Sequence, residues 1–350
     1  MTIERRKIEH IDIISKQDVR HEYNFWDDIE IIQKSMPEID YDEIDASTSF
    51  LGKKLKLPIL ISSMTGGHPE TKKINENLAI GAAEGGIAMG VGSERAAIQN
   101  RSNEDTYEVV TRYDVPFRIA NVGAPQLIKQ SKDPLTDEDI EYAVNLVKAD
   151  ALAIHFNFVQ ELSQPEGDRK SRGISKRLHA LSTKYKIIAK ETGAGFSMQD
   201  AMDFRLAGVS AIDVGGRSGT SFAAVESKRS GIKGDVQKES VGKTFWNWGI
   251  PSPVSVILAD VGLPIVASGG IRSGLDIFRG IAMGANLGGL ASTFLRAALV
   301  SDREVVKLIN RLESELKTAM FLTGCSNLKE IRGVRRIYVG RLSEWIREVQ

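Results

Sequence analysis

Four short stretches carry the side chains best suited to hold an anion, a metal or a proton. The densest is His155-Phe-Asn-Phe-Val-Gln-Glu161-Leu-Ser-Gln-Pro-Glu-Gly-Asp-Arg169, which gathers an imidazole, amides and carboxylates at one point of the chain. Glu161 alone makes a poor all-protein metal cage, but Mg2+ commonly takes one or two carboxylates and completes its shell with water and phosphate oxygens. Such a site calls for a phosphorylated substrate; the plainer reading is a solvated loop with His155 packed in the core. A second stretch, Ser268-Gly-Gly-Ile-Arg-Ser-Gly274, opens a helix, so its glycines let backbone N–H groups face an anion where the helix adds positive potential. A third, Arg5-Arg-Lys-Ile-Glu-His10, reads either as a mobile basic tail or as an arm folded over an anionic substrate through Arg6, Lys7 and His10.

The fourth is Lys190, which ends the apolar run Ile187-Ile188-Ala189. A lysine in such surroundings needs a partner, a ligand or a lowered pKa. It suits an ion pair with Glu191 or Asp213, a Schiff-base nucleophile, or a fixed cation beside a flavin ring that favours the anionic reduced form.

These groups need a scaffold, and the chain supplies a regular one. Eight apolar runs, Pro58–Thr65, Ile87–Ser93, Phe117–Val122, Ala151–Asn157, Lys186–Glu191, Ala211–Gly215, Pro264–Gly269 and Asn286–Ser292, are continuous rather than alternating, as in strands buried on both faces. Between them lie helical segments with caps at Thr136/Asp139, Ser197/Asp200 and Ser273/Asp276 and stops at Gly85-Gly86, Gly208 and Gly284. Eight strand–helix units predict an α/β fold, a (β/α)8 TIM barrel, with an open doubly wound sheet as the alternative. In a barrel the residues past each strand's C-terminal end face the mouth. Here those are Thr65 with Gly66-Gly67, Ser93 and Arg95, Asn121, then His155, Asn157, Gln160 and Glu161, followed by Lys190 and Glu191, Asp213 and Thr220, Ser268 and Arg272, and Ser292. The glycine stretch then joins Ala291-Ser292 in the loops after strands seven and eight, where barrels commonly bind phosphate.

With 350 residues, 42% hydrophobic and 26% charged, the chain suits one domain over 1–350. Outside the repeat lie an N-terminal extension, 1–50, and an insertion after the sixth strand, 222–250, a polar loop that reads as a lid or a solvated excursion. Forty-six basic residues balance forty-six acidic ones, so no overall field draws nucleic acid or an anionic membrane. One cysteine, Cys325, rules out an internal disulfide or a cysteine metal cluster, and no run has signal-peptide or membrane-spanning character; a cytoplasmic protein is expected.

Arg6-Lys7 with His10, Met64-Thr-Gly-Gly67, Gly92-Ser-x-Arg95, Asn121, His155-x-Asn-x-x-Gln-Glu161 with Pro165-Glu-Gly-Asp168, Lys190-Glu-x-Gly193, Trp248-Gly-Ile-Pro251 and Ser268–Gly274 together resemble the type 2 isopentenyl-diphosphate isomerase family. The resemblance implies FMN on Met64, Thr65, Gly66, Ser93, Asn121, Lys190 and Thr220, with its phosphate on Gly269, Gly270, Arg272 and Ala291. It implies a substrate diphosphate on Arg6, Lys7, His10, Ser93, Arg95, His155 and Gln160, and Mg2+ on Glu161. It further implies catalysis with Gln160, His155 and Lys190 around reduced FMN, NAD(P)H as an activating reductant, and a homo-tetramer or homo-octamer. Glu94 stands where the family usually has Gln, Arg217-Ser218 interrupt a glycine run, Phe222 replaces a usual Trp, and Gln33-Lys34 replace a usual His-Gln pair. On this reading Glu94 weakens a nearby diphosphate site and Arg217 alters the flavin surroundings. Competing readings are another FMN barrel oxidoreductase such as a 2-hydroxy-acid oxidase, a Schiff-base aldolase on Lys190, and a flavin-binding sensor without chemistry. An inosinate-type dehydrogenase fits worse, because Cys325 lies after the barrel.

Overall fold

The computed structural model of the protein describes residues 3–164 and 166–349; Pro165 of the Pro-Glu-Gly-Asp motif therefore lies outside the described residues, as do Met1, Thr2 and Gln350. Each apolar run supplies one parallel strand of a closed barrel: β1 (Ile59–Ile61), β2 (Ala88–Gly90), β3 (Phe117–Gly123), β4 (Ala151–Phe156), β5 (Ile187–Glu191), β6 (Ala211–Asp213), β7 (Ile265–Ala267) and β8 (Leu287–Leu290). Pairing of Gly288 with Ile59 joins β8 back to β1 and excludes the open sheet. Around the barrel run helices that include α1 (Ile3–Lys16), α2 (Pro69–Gly85), α3 (Asp137–Leu146), α4 (Met198–Leu206), α5 (Phe222–Ile232), α6 (Val236–Thr244), α7 (Gly274–Ala282) and α8 (Ser292–Val300). Thr136 and Ser197 form reciprocal capping boxes with Asp139 and Asp200. Ser273 caps α7 one way only, since Asp276 turns its carboxylate to Arg272 and Arg279.

The strands are apolar throughout because both faces are buried. Leu60, Ala88, Phe117, Ile119, Ala151, Ala153, Ile188, Ala211, Val266 and Leu287 fill the interior. Their neighbours Ile59, Ile61, Ala120, Leu152, Ile154, Ile212 and Ile265 pack outward under the helices. Side chains along a strand alternate, so two residues beyond each interior position lies the next inward one. That rule puts Ser62, Asn121, His155, Lys190, Asp213 and Ser268 in a single layer above the apolar core. The barrel's other end is plugged by a hairpin, Thr48–Phe50 with Lys53–Leu55, whose Phe50 ring meets Phe117 edge-on at 5.5 Å.

Two expectations change. Residues 222–250 are no polar loop: they form α5 and α6, packed on each other, with α1 laid across α5. The basic N-terminus is no loose tail either, because α1 buries Ile13 against Ala224 and Val225. Arg20 and Thr220 then bridge the chain to the barrel mouth, with His21 N donating to Gly219 O at 2.8 Å.

Candidate active site

At the C-terminal mouth the polar layer floors a cavity of about 830 Å3, within the usual size of a small-molecule site. The layer is wired internally. Asn121 Nδ2 donates to Val91 O at 3.1 Å, which turns Asn121 Oδ1 toward His155 Nδ1 at 2.9 Å. His155 therefore carries its proton on Nδ1. Burial, with the positive charges of Lys190, Arg6 and Lys7, pulls His155 down to about 3, so the ring is neutral and Nε2 offers a lone pair. Lys190 Nζ donates to Glu191 O at 3.0 Å, and Ser268 Oγ bonds Asp213, whose carboxyl burial pushes upward against the pull of Lys190. The Ser62 hydroxyl, buried and facing this cavity, has no partner among the described residues.

One wall is the glycine turn after β7. Gly270 has φ +87°, and a Cβ there would sit 2.5 Å from Ser218 O, so only glycine fits. The turn is held from behind by the N-terminal extension: Asn24 Nδ2 donates to Gly270 O at 2.9 Å and the fully buried Trp26 donates through Nε1 to Gly269 O at 2.8 Å. Gly269, Gly270, Thr220 and Ala291 all line the cavity, beside the starts of α7 and α8. Arg272 lines it too, but its guanidinium is committed to Asp276 at 3.0 Å and to Asp27. Across the mouth, Met64 and Thr65 line the cavity, Thr65 is tied to Asn75, and Gly66 lies behind them with Tyr107 stacked where a side chain would go. A glycine cradle at helix starts over a polar floor, with an orphaned hydroxyl, fits a phosphorylated flavin.

The other wall is charged. Glu161, nearly fully buried, accepts from Asn157 Nδ2 at 3.0 Å, from the Asp168 N–H at 2.8 Å and from Gln164. Burial raises its carboxyl, opposed by those donors and by Arg6. Asn157 Oδ1 is buried without a partner among the described residues. No three His, Cys, Asp or Glu side chains among the described residues are grouped to hold a metal unaided. One hard carboxylate beside a spare amide oxygen instead suits Mg2+ shared with a phosphorylated ligand. Arg95 lies 3.4 Å from Asp168, and Arg6 reaches Gln164 at 3.3 Å. Lys7 Nζ donates to Ser93 O at 2.6 Å and also to Gly66 O and Tyr107 Oη. Enclosure lowers it to about 7, helped by Arg6 and opposed by Glu94.

Of the mouth and site residues singled out in the sequence, Gly66, Gly67, Lys190 and Asp213 stand behind the cavity surface and the others line it. Residues missed there are buried polar ones. Glu226 on α5 accepts from Arg229 Nη1 at 2.7 Å, meets His10 Nε2 at 2.8 Å, and takes Gln160 Nε2 at 3.2 Å, joining arm, insertion and site. Arg229 also holds Glu9 at 2.9 Å and Glu166. Of the departures, Phe222 lines the cavity while Arg217 and Glu94 do not: Arg217 packs on Phe25, 4.9 Å from the ring centre, and donates to Asn247 O. Glu94 is fully buried, accepts from Asn121 N at 2.8 Å, and has its carboxyl raised by burial against the pull of that N–H and of Lys7. Glu191, which ends β5, turns its carboxylate onto backbone N–H groups; burial pushes it up to about 7 against the N–H groups of Ala194, Gly193 and Gly195 and the Lys190 charge.

A family model described as FMN-dependent dehydrogenase matches residues 249–336, the part that contains the glycine turn and β8. Among solved structures, a mandelate oxidase variant with a monooxide FMN adduct has a TM-score of 0.62 at 14% identity, covering 97% of this chain and 93% of that one. A flavocytochrome b2 variant with pyruvate bound has a TM-score of 0.63 at 18% identity, covering 93% and 81%. Identities that low speak for the fold alone. The isopentenyl-diphosphate delta-isomerase of Thermoplasma acidophilum is 51% identical over 344 residues, 98% of this chain and 99% of the relative. That of Archaeoglobus fulgidus is 47% identical, covering 99% of each chain. Half of all positions shared from the arm through the barrel to the last helix leaves one conclusion: the chain belongs to the isopentenyl-diphosphate delta-isomerase family.

Proposed function

We propose that the protein interconverts isopentenyl and dimethylallyl diphosphate, with FMN seated on the glycine turn and polar floor and Mg2+ held between Glu161 and the substrate diphosphate. The observation that carries this reading is the two-walled cavity, one wall a glycine cradle and the other a cluster of Arg6, Lys7, Arg95 and Glu161. Two phosphorylated ligands thereby meet over one polar floor.

The isomerisation adds a proton to the terminal methylene carbon of the substrate and removes one from the carbon next to the double bond. Among the described residues the free side-chain acids and bases near this floor are few, since Glu161, Glu191 and Asp213 are each bound up in hydrogen bonds. When bound, reduced FMN supplies the acid and base through N5 in a reaction that is redox-neutral overall. Lys190 holds a positive charge beside the ring, and Gln160, anchored by Glu226 and Asn157, orients the substrate. His155 Nε2, with Nδ1 committed to Asn121, contacts a diphosphate oxygen once it has taken up a proton. Arg6, Lys7 and Arg95 balance the diphosphate charge, and α1 over the mouth keeps out water that would compete for the proton. NAD(P)H acts as an activating reductant, and the working form is a homo-tetramer or homo-octamer.

The test is incubation of purified protein with FMN, dithionite, Mg2+ and isopentenyl diphosphate, with products read by NMR. Dimethylallyl diphosphate without loss of flavin reducing equivalents is expected. Failure to form it, with turnover of a 2-hydroxy acid instead, would install the FMN oxidoreductase reading.

A further inference from the structure

Glu191 stands next to Lys190 at the end of β5, and the reaction proposed above leaves its carboxyl without a task. One oxygen, Oε2, accepts the N–H groups of Thr192 at 2.7 Å, Gly193 at 2.6 Å and Gly195 at 3.1 Å, and that of Ala194 as well. Gly195, with φ +75°, lets successive N–H groups turn inward into a concave nest of the kind that binds anions. The chain fills this nest with its own carboxylate. Only donors face that oxygen, so a proton taken up by the carboxyl goes to Oε1 and leaves these bonds in place.

The pinned loop borders the cavity and is bonded to the N-terminal extension and to the helix that begins at Ser252. Thr192 and Gly193 line the cavity, Gly193 O meets His21 Nε2 at 2.9 Å, and Phe196 N donates to Ser255 Oγ at 2.8 Å. The carbonyl of Glu191 itself is the acceptor of Lys190 Nζ at 3.0 Å. It is wedged against the turn after β6, where a Cβ on Gly215 would come within 2.1 Å of it. Loop geometry and lysine orientation are therefore set by the same residue.

We propose that Glu191 is a positioning residue: its carboxylate pins residues 192–195 and so fixes the carbonyl that aims the Lys190 ammonium, a role that rests on the FMN reading for its catalytic meaning. An amide oxygen serves one or two donors and lacks the charge that strengthens each bond, so Glu191→Gln leaves N–H groups unpaired. Glu191→Asp keeps the charge but falls a methylene short of the nest.

The experiment measures amide hydrogen exchange at 193–195 in the full-length chain, without and with FMN, and the midpoint potential of bound FMN. In Glu191→Gln without FMN, exchange at these amides should rise at least about tenfold, the equivalent of one charge-assisted bond. The FMN midpoint should move in the same direction as in Lys190→Met. Unchanged exchange overturns the pinning, and faster exchange with an unmoved midpoint overturns the link to Lys190. Should Glu191→Gln not fold, Glu191→Asp decides by the same two readouts. A wild-type chain that binds no FMN would sink the flavin reading, while the exchange data would still decide the pinning.

Discussion

Replacing Glu226 by Gln tests how the arm is locked over the mouth. The Glu226 side chain is completely buried, with Arg229 Nη1 at 2.7 Å and His10 Nε2 at 2.8 Å. Burial alone would raise its carboxyl, but the charge and hydrogen bonds of His10 and Arg229 outweigh that and hold it at about 2. A carboxyl held at about 2 rather than 4.5 contributes about 3 kcal/mol of folding stability at neutral pH. Counting bonds gives a similar figure, since two charge-assisted bonds becoming neutral ones lose about 1 to 1.5 kcal/mol each. The sign follows from the lowered pKa: the stabilisation is complete above the unfolded value and is lost as pH falls through the folded one. Glu226→Gln should therefore cost about 3 kcal/mol at pH 7, and the gap from wild type should shrink to about half by pH 3. Urea denaturation followed by tryptophan fluorescence reads the difference, and tryptic cleavage at Arg6 and Lys7 should quicken in parallel. A loss under about 1 kcal/mol at pH 7, or a gap that does not narrow in acid, would refute the reasoning.

Lys7, held at about 7, is charged below that pH and neutral above it. Substrate affinity should fall as pH rises through about 7, and Lys7→Met should flatten that dependence in a binding titration. His155, neutral at about 3 in the free protein, should take up about one proton with the diphosphate, seen as buffer-dependent heat in calorimetry and lost in His155→Phe. Deleting residues 1–10 should weaken isopentenyl-diphosphate binding at least about tenfold while FMN affinity holds, the loss of two phosphate-contacting cations; equal substrate affinity would sink the arm. Glu161→Gln should abolish Mg2+-dependent turnover with an intact flavin spectrum, and full activity in that variant would remove Glu161 from the metal.

Much of the barrel was legible because its strands obey one constraint: both faces are buried, so Ile59 to Ile61 or Leu152 to Ile154 are apolar without a break. The polar layer could be read for the same reason, since Asn121, His155 and Lys190 stand out against such runs. What escaped notice is polar burial. Helix α5 buries Glu226, Ser227, Arg229 and Ser230. Glu226 and Arg229 look solvated in a sequence, because partners that satisfy them, His10, Glu9 and Glu166, are distant along the chain. The arm was ambiguous by the same mechanism, as its charged residues meet acceptors on α5 and at Tyr107 rather than water. At Arg272 the hidden feature is a distant partner: Asp27 from the extension pairs with the guanidinium of the glycine turn, which no spacing in the sequence announces. The hairpin plug went unseen because two three-residue strands give too short an alternation to register.

The central claim is a redox-neutral proton transfer in this cavity, and isotope uptake from solvent tests it most directly. Protein reconstituted with FMN, reduced once and supplied with Mg2+ and isopentenyl diphosphate in D2O, should place deuterium in a methyl group of dimethylallyl diphosphate over many turnovers per reducing equivalent. Product free of solvent deuterium, or reductant consumed in step with product, would contradict the account.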